Sequence, residues 1–271
     1  MSEIKPLPRW IRLLRTSAIL FCFLLLLAWW MEKRMVFVPS ATWDEPLPTD
    51  AEEIGFVSAD GTELSGAWFP AEEASAVLVQ CHGNAGNISH RFHIASHWQK
   101  QGWSVLLFDY RGYGRSKGQP TEAGIIADAR AAIATARRLS GKNVIAYGRS
   151  LGTVPAVVLA TEGEACGLIL DSPPLNGPAI ADVIMPFPGT GMLMQTRLDN
   201  SGRIGSITCP LLLLHGDADQ IVPYEQGAEL HRLAPEPKQL VKIPGGGHND
   251  QRHSGVAFEA VRDFLAGLSE K

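Results

Sequence analysis

Apolar and polar positions along the chain change rhythm several times, and each change predicts an element. Thr16 to Met31 reads TSAILFCFLLLLAWWM without a charge, as a membrane helix does. Met35 to Asp50 carries Pro39, Pro46 and Pro48 and predicts an extended linker. Glu53 to Val57 and Leu64 to Phe69 alternate around Asp60-Gly61, a hairpin signal. Ala76 to Cys81 is an apolar run suited to a strand buried on both faces. Helical patterns (Ser89 to Gln101, Thr121 to Leu139, Leu151 to Thr161, Tyr224 to Leu233, Ser254 to Leu268) then alternate with short apolar strands. Those strands are Trp103 to Phe108, Asn143 to Tyr147, Gly167 to Leu170, Leu211 to Leu214 and Gln239 to Ile243. Strands that lack polar alternation and alternate with helices predict an α/β fold, a mostly parallel, doubly wound sheet covered on both faces. Between Leu170 and Leu211 the rhythm fails. That stretch is rich in Pro and Gly and carries Ile184, Met185, Phe187, Met192, Leu193 and Met194. It predicts a small cap, about 173–207, helping to line a site.

Composition narrows the class. The chain has 271 residues, 45% hydrophobic and 19% charged, enough apolar material for one large core. The formal net charge is −4, and no basic block lies beyond the N-terminus, so no nucleic-acid partner is expected. Cys22, Cys81, Cys166 and Cys209 show neither CxxC nor Cys/His metal spacing and read as small buried thiols. Cys166 and Cys209 each precede an apolar strand by two residues, which leaves a pairing between them open.

The N-terminal run is flanked by Lys5, Arg9, Arg12 and Arg15 on one side and by Glu32, Lys33 and Arg34 on the other. It ends in Ala-Trp-Trp-Met-Glu, with no small-residue cleavage pattern, so an uncleaved signal anchor over 1–35 is expected rather than a cleaved signal or a core helix. The heavier positive charge on the N-terminal side would keep that end in the cytoplasm. The domain beyond the linker (36–52) would then face the periplasm or the outside.

Chemistry concentrates at the ends of the predicted strands. Gly148-Arg-Ser-Leu-Gly152 follows one strand and opens a helix, the strand–turn–helix setting in which G-x-S-x-G exposes a nucleophilic serine. Ser150 needs a base, and His248, in the turn Pro244-Gly-Gly-Gly-His-Asn-Asp after a strand, is placed to reach over the sheet end. His231 and His253 read as surface residues and His215 as structural. The acid expected between nucleophile and base is Asp219, with Asp171 and Asp217 as alternatives. Two oxyanion donors are expected: the backbone N–H of Leu151, and that of Asn84 (or Ala85) in the loop His82 to Asn87. His82 and the charged residues of Asp109 to Ser116 read as braces for these loops.

HGNAGN (82–87), FDYRGYGRS (108–116), GRSLG (148–152), HGDADQIVP (215–223) and GGHND (246–250) stand in one order along the chain. From about residue 50 onward the chain resembles the α/β-hydrolase superfamily, most closely the small-cap, membrane-anchored abhydrolase-domain proteins related to the yeast bud-emergence hydrolase. The resemblance implies a hydrolase domain over 53–271, Ser150, Asp219 and His248 as a triad, and Asn84 and Leu151 as oxyanion donors. It also implies no metal or organic cofactor. Thr153 departs from the second glycine common in relatives. Hydrolysis of a small-molecule or lipid-like acyl ester or thioester is the expected activity. Peptidase action on short peptides and a catalytically idle membrane-tethered scaffold are the rival readings.

Overall fold

A computed structural model of the chain describes residues 8–185, 189–249 and 255–269. Lys5, Phe187, Asp250 and His253, named above, lie outside the described residues. The chain divides between Val36 and Phe37 into two compact units.

The first unit is a single helix, α1 (Arg9–Val36). Its 28 residues span about 42 Å at 1.5 Å per residue, more than the ~30 Å apolar core of a bilayer. Its most apolar 18-residue window has a mean hydropathy of 2.0, so the helix is a candidate membrane span. At its end Lys33 lies 4.8 Å over the Trp29 ring and Arg34 lies 4.1 Å over Trp30, pairs one turn apart that suit a water interface.

The second unit begins with β1 (Val38–Pro39), then β2 (Glu52–Val57) and β3 (Glu63–Phe69). β4 (Ala76–Cys81) leads to the short β5 (Ala85–Gly86) and helix α2 (Phe92–Lys100). β6 (Ser104–Phe108), α3 (Glu122–Ser140), β7 (Asn143–Arg149), α4 (Thr153–Thr161) and β8 (Gly167–Asp171) follow. α5 (Gly177–Ile184), β9 (Leu211–Gly216), α6 (Tyr224–Leu233), β10 (Lys238–Ile243) and α7 (Gly255–Ser269) complete the unit.

Eight strands form one sheet in the order β10-β9-β8-β7-β4-β6-β3-β2. All neighbours are parallel except β2 with β3 and β3 with β6. The mostly parallel α/β sheet is therefore as the alternation predicts, with the hairpin β2–β3 at one edge. Strands β4, β6, β8 and β9 are buried throughout, which is why they read as unbroken apolar runs. Helices start where side chains satisfy their free N–H groups. Thr121 accepts from Gly124 N at the head of α3, and Asn176 accepts from Ala179 N at the head of α5. Burial of Ile145, Tyr147, Leu212 and Leu214 against Ala257, Val261 and Leu265 of α7 closes one face of the sheet.

The stretch read as a linker holds the short strand β1 followed by bends and a turn, and it is bonded to the domain. Phe37 is buried, β1 pairs with β5, and Trp43 packs edge-on against Phe92 with ring centroids 5.3 Å apart. Cys166 and Cys209 precede neighbouring strands and are free thiols; burial pushes the Cys209 thiol up to about 12.

Candidate active site

The parallel strands all point their C-terminal ends to one rim, where an open α/β sheet forms its sites. Ser150 follows β7, Asp219 follows β9 and His248 follows β10, so three distant stretches of sequence reach the same rim.

The turn around Ser150 is held by sterics. A side chain on Gly148 would meet the Gly152 carbonyl and the Thr153 Cα at 2.6 Å, and one on Gly152 would meet the Cys81 carbonyl at 2.0 Å. Only glycine allows the turn to lie flat on the end of β4. Ser150 itself has φ +48°, a left-handed conformation that costs a serine roughly 1–3 kcal/mol. The strained turn presents the hydroxyl, half-buried, at the head of a helical segment. Thr153 donates its hydroxyl to the Ser150 carbonyl at 2.6 Å and accepts from Asn200 Nδ2 at 2.9 Å. It thereby ties the turn to the cap segment.

Ser150 Oγ lies 3.1 Å from His248 Nε2, and His248 Nδ1 lies 2.7 Å from Asp219 Oδ2. An ionised carboxylate only accepts, so Nδ1 donates to Asp219, and in the neutral imidazole Nε2 is then the acceptor for the serine hydroxyl. Burial raises the Asp219 pKa, but the His248 hydrogen bond and the N–H groups of Val222 and Ile221 outweigh it and hold the carboxyl below its usual 3.8. The structure thus brings together all three side chains that the sequence singles out.

The alternatives have other partners. Asp217 accepts from Gly245 N at 2.6 Å and pairs with Lys242 at 3.3 Å, bracing the turn that leads to His248. Asp171 is buried beside Arg149, its carboxylate 3.4 Å from Nε. His215 donates Nε2–H to the Val222 carbonyl at 2.8 Å, and burial lowers its pKa, so it remains a neutral brace of the Asp219 loop. His82 is fully buried, bonds the Gly83 carbonyl through Nδ1 and stacks on Tyr110 with centroids 4.2 Å apart. Arg111 spans Asp128 and Asp60, which makes it a brace as well.

The loop 82–87 runs against the nucleophile. A side chain on Gly83 would come 3.8 Å from Ser150 Cβ. Leu151 occupies the first turn after Ser150, where backbone N–H groups lack intrahelical partners. Among the described residues, no group of three or more His, Cys, Asp or Glu side chains is arranged to hold a metal.

One residue at the site escaped the sequence reading. Arg149, the variable position of the G-x-S-x-G turn, is buried and donates through one terminal nitrogen to the His248 carbonyl and to Asn249 Oδ1. Strand alternation was the available signal: a residue next to Ser150 faces the other way, under the rim, where a guanidinium requires acceptors.

Comparison with known proteins agrees with this architecture. The family model described as serine aminopeptidase, S33, matches residues 72–200. The uncharacterized protein YfhR of Escherichia coli is 37% identical over 236 residues, covering 81% of this chain and 82% of that protein. Alpha/beta hydrolase domain-containing protein 17B of Homo sapiens is 34% identical over 199 residues, covering 71% of this chain and 67% of that one. An esterase of Pyrococcus furiosus superposes with a TM-score of 0.72 at 20% identity, covering 87% of this chain and 97% of that one. Est1E of Butyrivibrio proteoclasticus, solved with ferulic acid bound, gives 0.68 at 22% identity, covering 80% and 99%. At those identities the solved structures share the fold alone. Sheet order, the serine turn and the long matches to sequence relatives lead to one assignment: the chain belongs to the α/β-hydrolase superfamily, in the family of α/β-hydrolase domain-containing proteins.

Proposed function

We propose that the protein is a serine hydrolase that cleaves carboxylic esters or thioesters through an acyl-enzyme on Ser150. The observation that carries this reading is the unbroken relay from Ser150 Oγ through His248 to Asp219, with the imidazole's free lone pair facing the hydroxyl. His248 Nε2 takes the serine proton as Oγ attacks the acyl carbonyl. The N–H groups of Leu151 and Asn84 receive the oxyanion, a contribution of roughly 10²–10³ in kcat for each such donor. The bond to the leaving group breaks, and His248 returns the proton to the departing alcohol or thiol. Water then gives its proton to His248 as it attacks the acyl-enzyme, and the free acid leaves with Ser150 restored.

The cap segment, with Met192 and Leu193 exposed, supports acylated or lipid-like substrates. The helix α1 supports attachment to the cell membrane. The excess of Arg9, Arg12 and Arg15 over Lys33 and Arg34 supports an N-terminus on the cytoplasmic side and a hydrolase domain on the periplasmic or outer side. The matching family model's description as a serine aminopeptidase favours one second reading, cleavage of short peptides by the same relay.

Ser150→Ala tests the nucleophile. Turnover of p-nitrophenyl esters should fall to the uncatalysed level while the circular dichroism spectrum is unchanged. Retention of full activity would refute the assignment. Faster turnover of aminoacyl p-nitroanilides than of any ester would shift the reading to the peptidase.

A further inference from the structure

The segment that joins α1 to the hydrolase domain is bonded to the loop expected to hold the oxyanion. Only Phe37 separates the last residue of α1 from β1. Val38 N–H then donates to the Asn84 carbonyl at 3.0 Å, and Ser40 N–H donates to the Gly86 carbonyl at 3.1 Å. The Ser40 carbonyl accepts from Gly114 N at 2.8 Å, and the Asn87 side-chain amide donates to the Ser40 and Thr42 carbonyls. Trp43 donates Nε1–H to Asp109 Oδ2 at 2.8 Å, while Asp109 Oδ1 accepts from Ile88 N at 2.9 Å. The same carboxylate therefore grips the strap and the far end of the loop. The guanidinium of Arg115 covers the outer face of Trp43 at 4.2 Å.

We propose that residues 37–43 form a positioning strap for the oxyanion loop. This rests on the reading of Ser150 as nucleophile and Asn84 N–H as donor. The Asn84 carbonyl is held from two sides, by Val38 N–H and by the hydroxyl of the fully buried Tyr113 at 2.8 Å. A fixed carbonyl fixes its whole peptide plane. That plane runs from the Asn84 Cα, to which the donor nitrogen is bonded, to the N–H of Ala85, so holding the carbonyl anchors one end of the Asn84 N–H segment and fixes the alternative donor outright. Gly83, on the other side of Asn84, has no side chain to set its conformation, and the loop's glycines leave it free to turn. The strap supplies from outside the loop the order that the loop's own sequence lacks.

The test uses the full chain in detergent, with active sites counted by fluorophosphonate titration to completion and ester turnover expressed per titrated site. Tyr113→Phe and Val38→Pro each delete one donor to the Asn84 carbonyl, and the double variant deletes both. Each single variant should lower kcat per titrated site about tenfold, below the roughly 10²–10³ for loss of an oxyanion donor itself. The double should lose more than either, with KM within about twofold of wild type. An unchanged kcat per titrated site in the double variant, a lower count of sites with normal turnover in each, or a loss confined to KM would overturn the proposal. If Val38→Pro does not fold, Trp43→Phe, which keeps an aromatic ring but deletes the strap's bond to Asp109, decides the matter by the same readout. Failure of the nucleophile reading is separately visible, because Ser150→Ala would then keep its turnover.

Discussion

Between Gly148 and Thr153 the backbone is hemmed in by close neighbours, whereas the described residues of the segment 173–207 leave several large apolar side chains open to solvent. The serine turn lies flat on β4, is strained at Ser150 and is pinned by Thr153. The cap is pinned mainly at its two ends. Leu175 N–H donates to Gln226 Oε1 at 2.9 Å, and the N–H groups of Arg197 and Leu198 donate to Glu122 Oε2 at 2.9 and 3.1 Å. Within α5 only Gly177 is buried, and Met192 is 85% exposed. Reaction chemistry needs atoms held to a fraction of an ångström, so it sits where the backbone is over-determined. Substrate selection tolerates, and uses, a surface whose apolar groups still lack a partner.

That contrast is open to attack from both sides. On the rigid side, Asp219→Asn keeps the shape but lets the imidazole take the wrong tautomer, and kcat for ester hydrolysis should fall about 10⁴-fold. The same change should alter acid stability. A carboxyl held below 3.8 when folded adds stability that is present above 3.8 and lost as pH falls through its folded value. Urea midpoints between pH 3 and 6 should therefore vary less in the Asn variant than in wild type.

Arg149→Met with Asp171→Asn removes the guanidinium under the histidine loop without leaving a buried charge unpaired. It should cost on the order of 10–100-fold in kcat, with little change in KM, because His248 loses an anchor rather than a chemical partner. An unaltered kcat would mean that the loop holds its own shape. On the open side, Met192→Ser with Leu193→Ser should raise KM for a long-chain p-nitrophenyl ester on the order of fivefold and leave the acetate ester unchanged. Equal effects on both esters would mean that the cap supports the fold instead of selecting acyl chains.

The same contrast governs what the sequence reveals. Buried strands such as β4 and β9 announce themselves because both faces need apolar residues, and the glycines at 148 and 152 mark a turn that tolerates nothing larger. Ser150, Asp219 and His248 stood out in the sequence because each lies in the turn or loop that follows a predicted strand. Arg149 and Trp43 were not, since their roles depend on acceptors 99 and 66 residues away that no local pattern points to. The apolar run Met35-Val-Phe-Val-Pro39, directly after Glu32-Lys-Arg34, was a local hint that the linker would pair as a strand.

An alcohol oxygen activated by His248 and Asp219 should outreact every other hydroxyl of the chain. Reaction of the full chain with a fluorophosphonate, followed by digestion and mass spectrometry, reads this out. One adduct is expected, on the peptide carrying Ser150, and it should disappear in His248→Ala at equal reaction time. An adduct at another residue, or labelling of Ser150 at the same rate without His248, would contradict that activation.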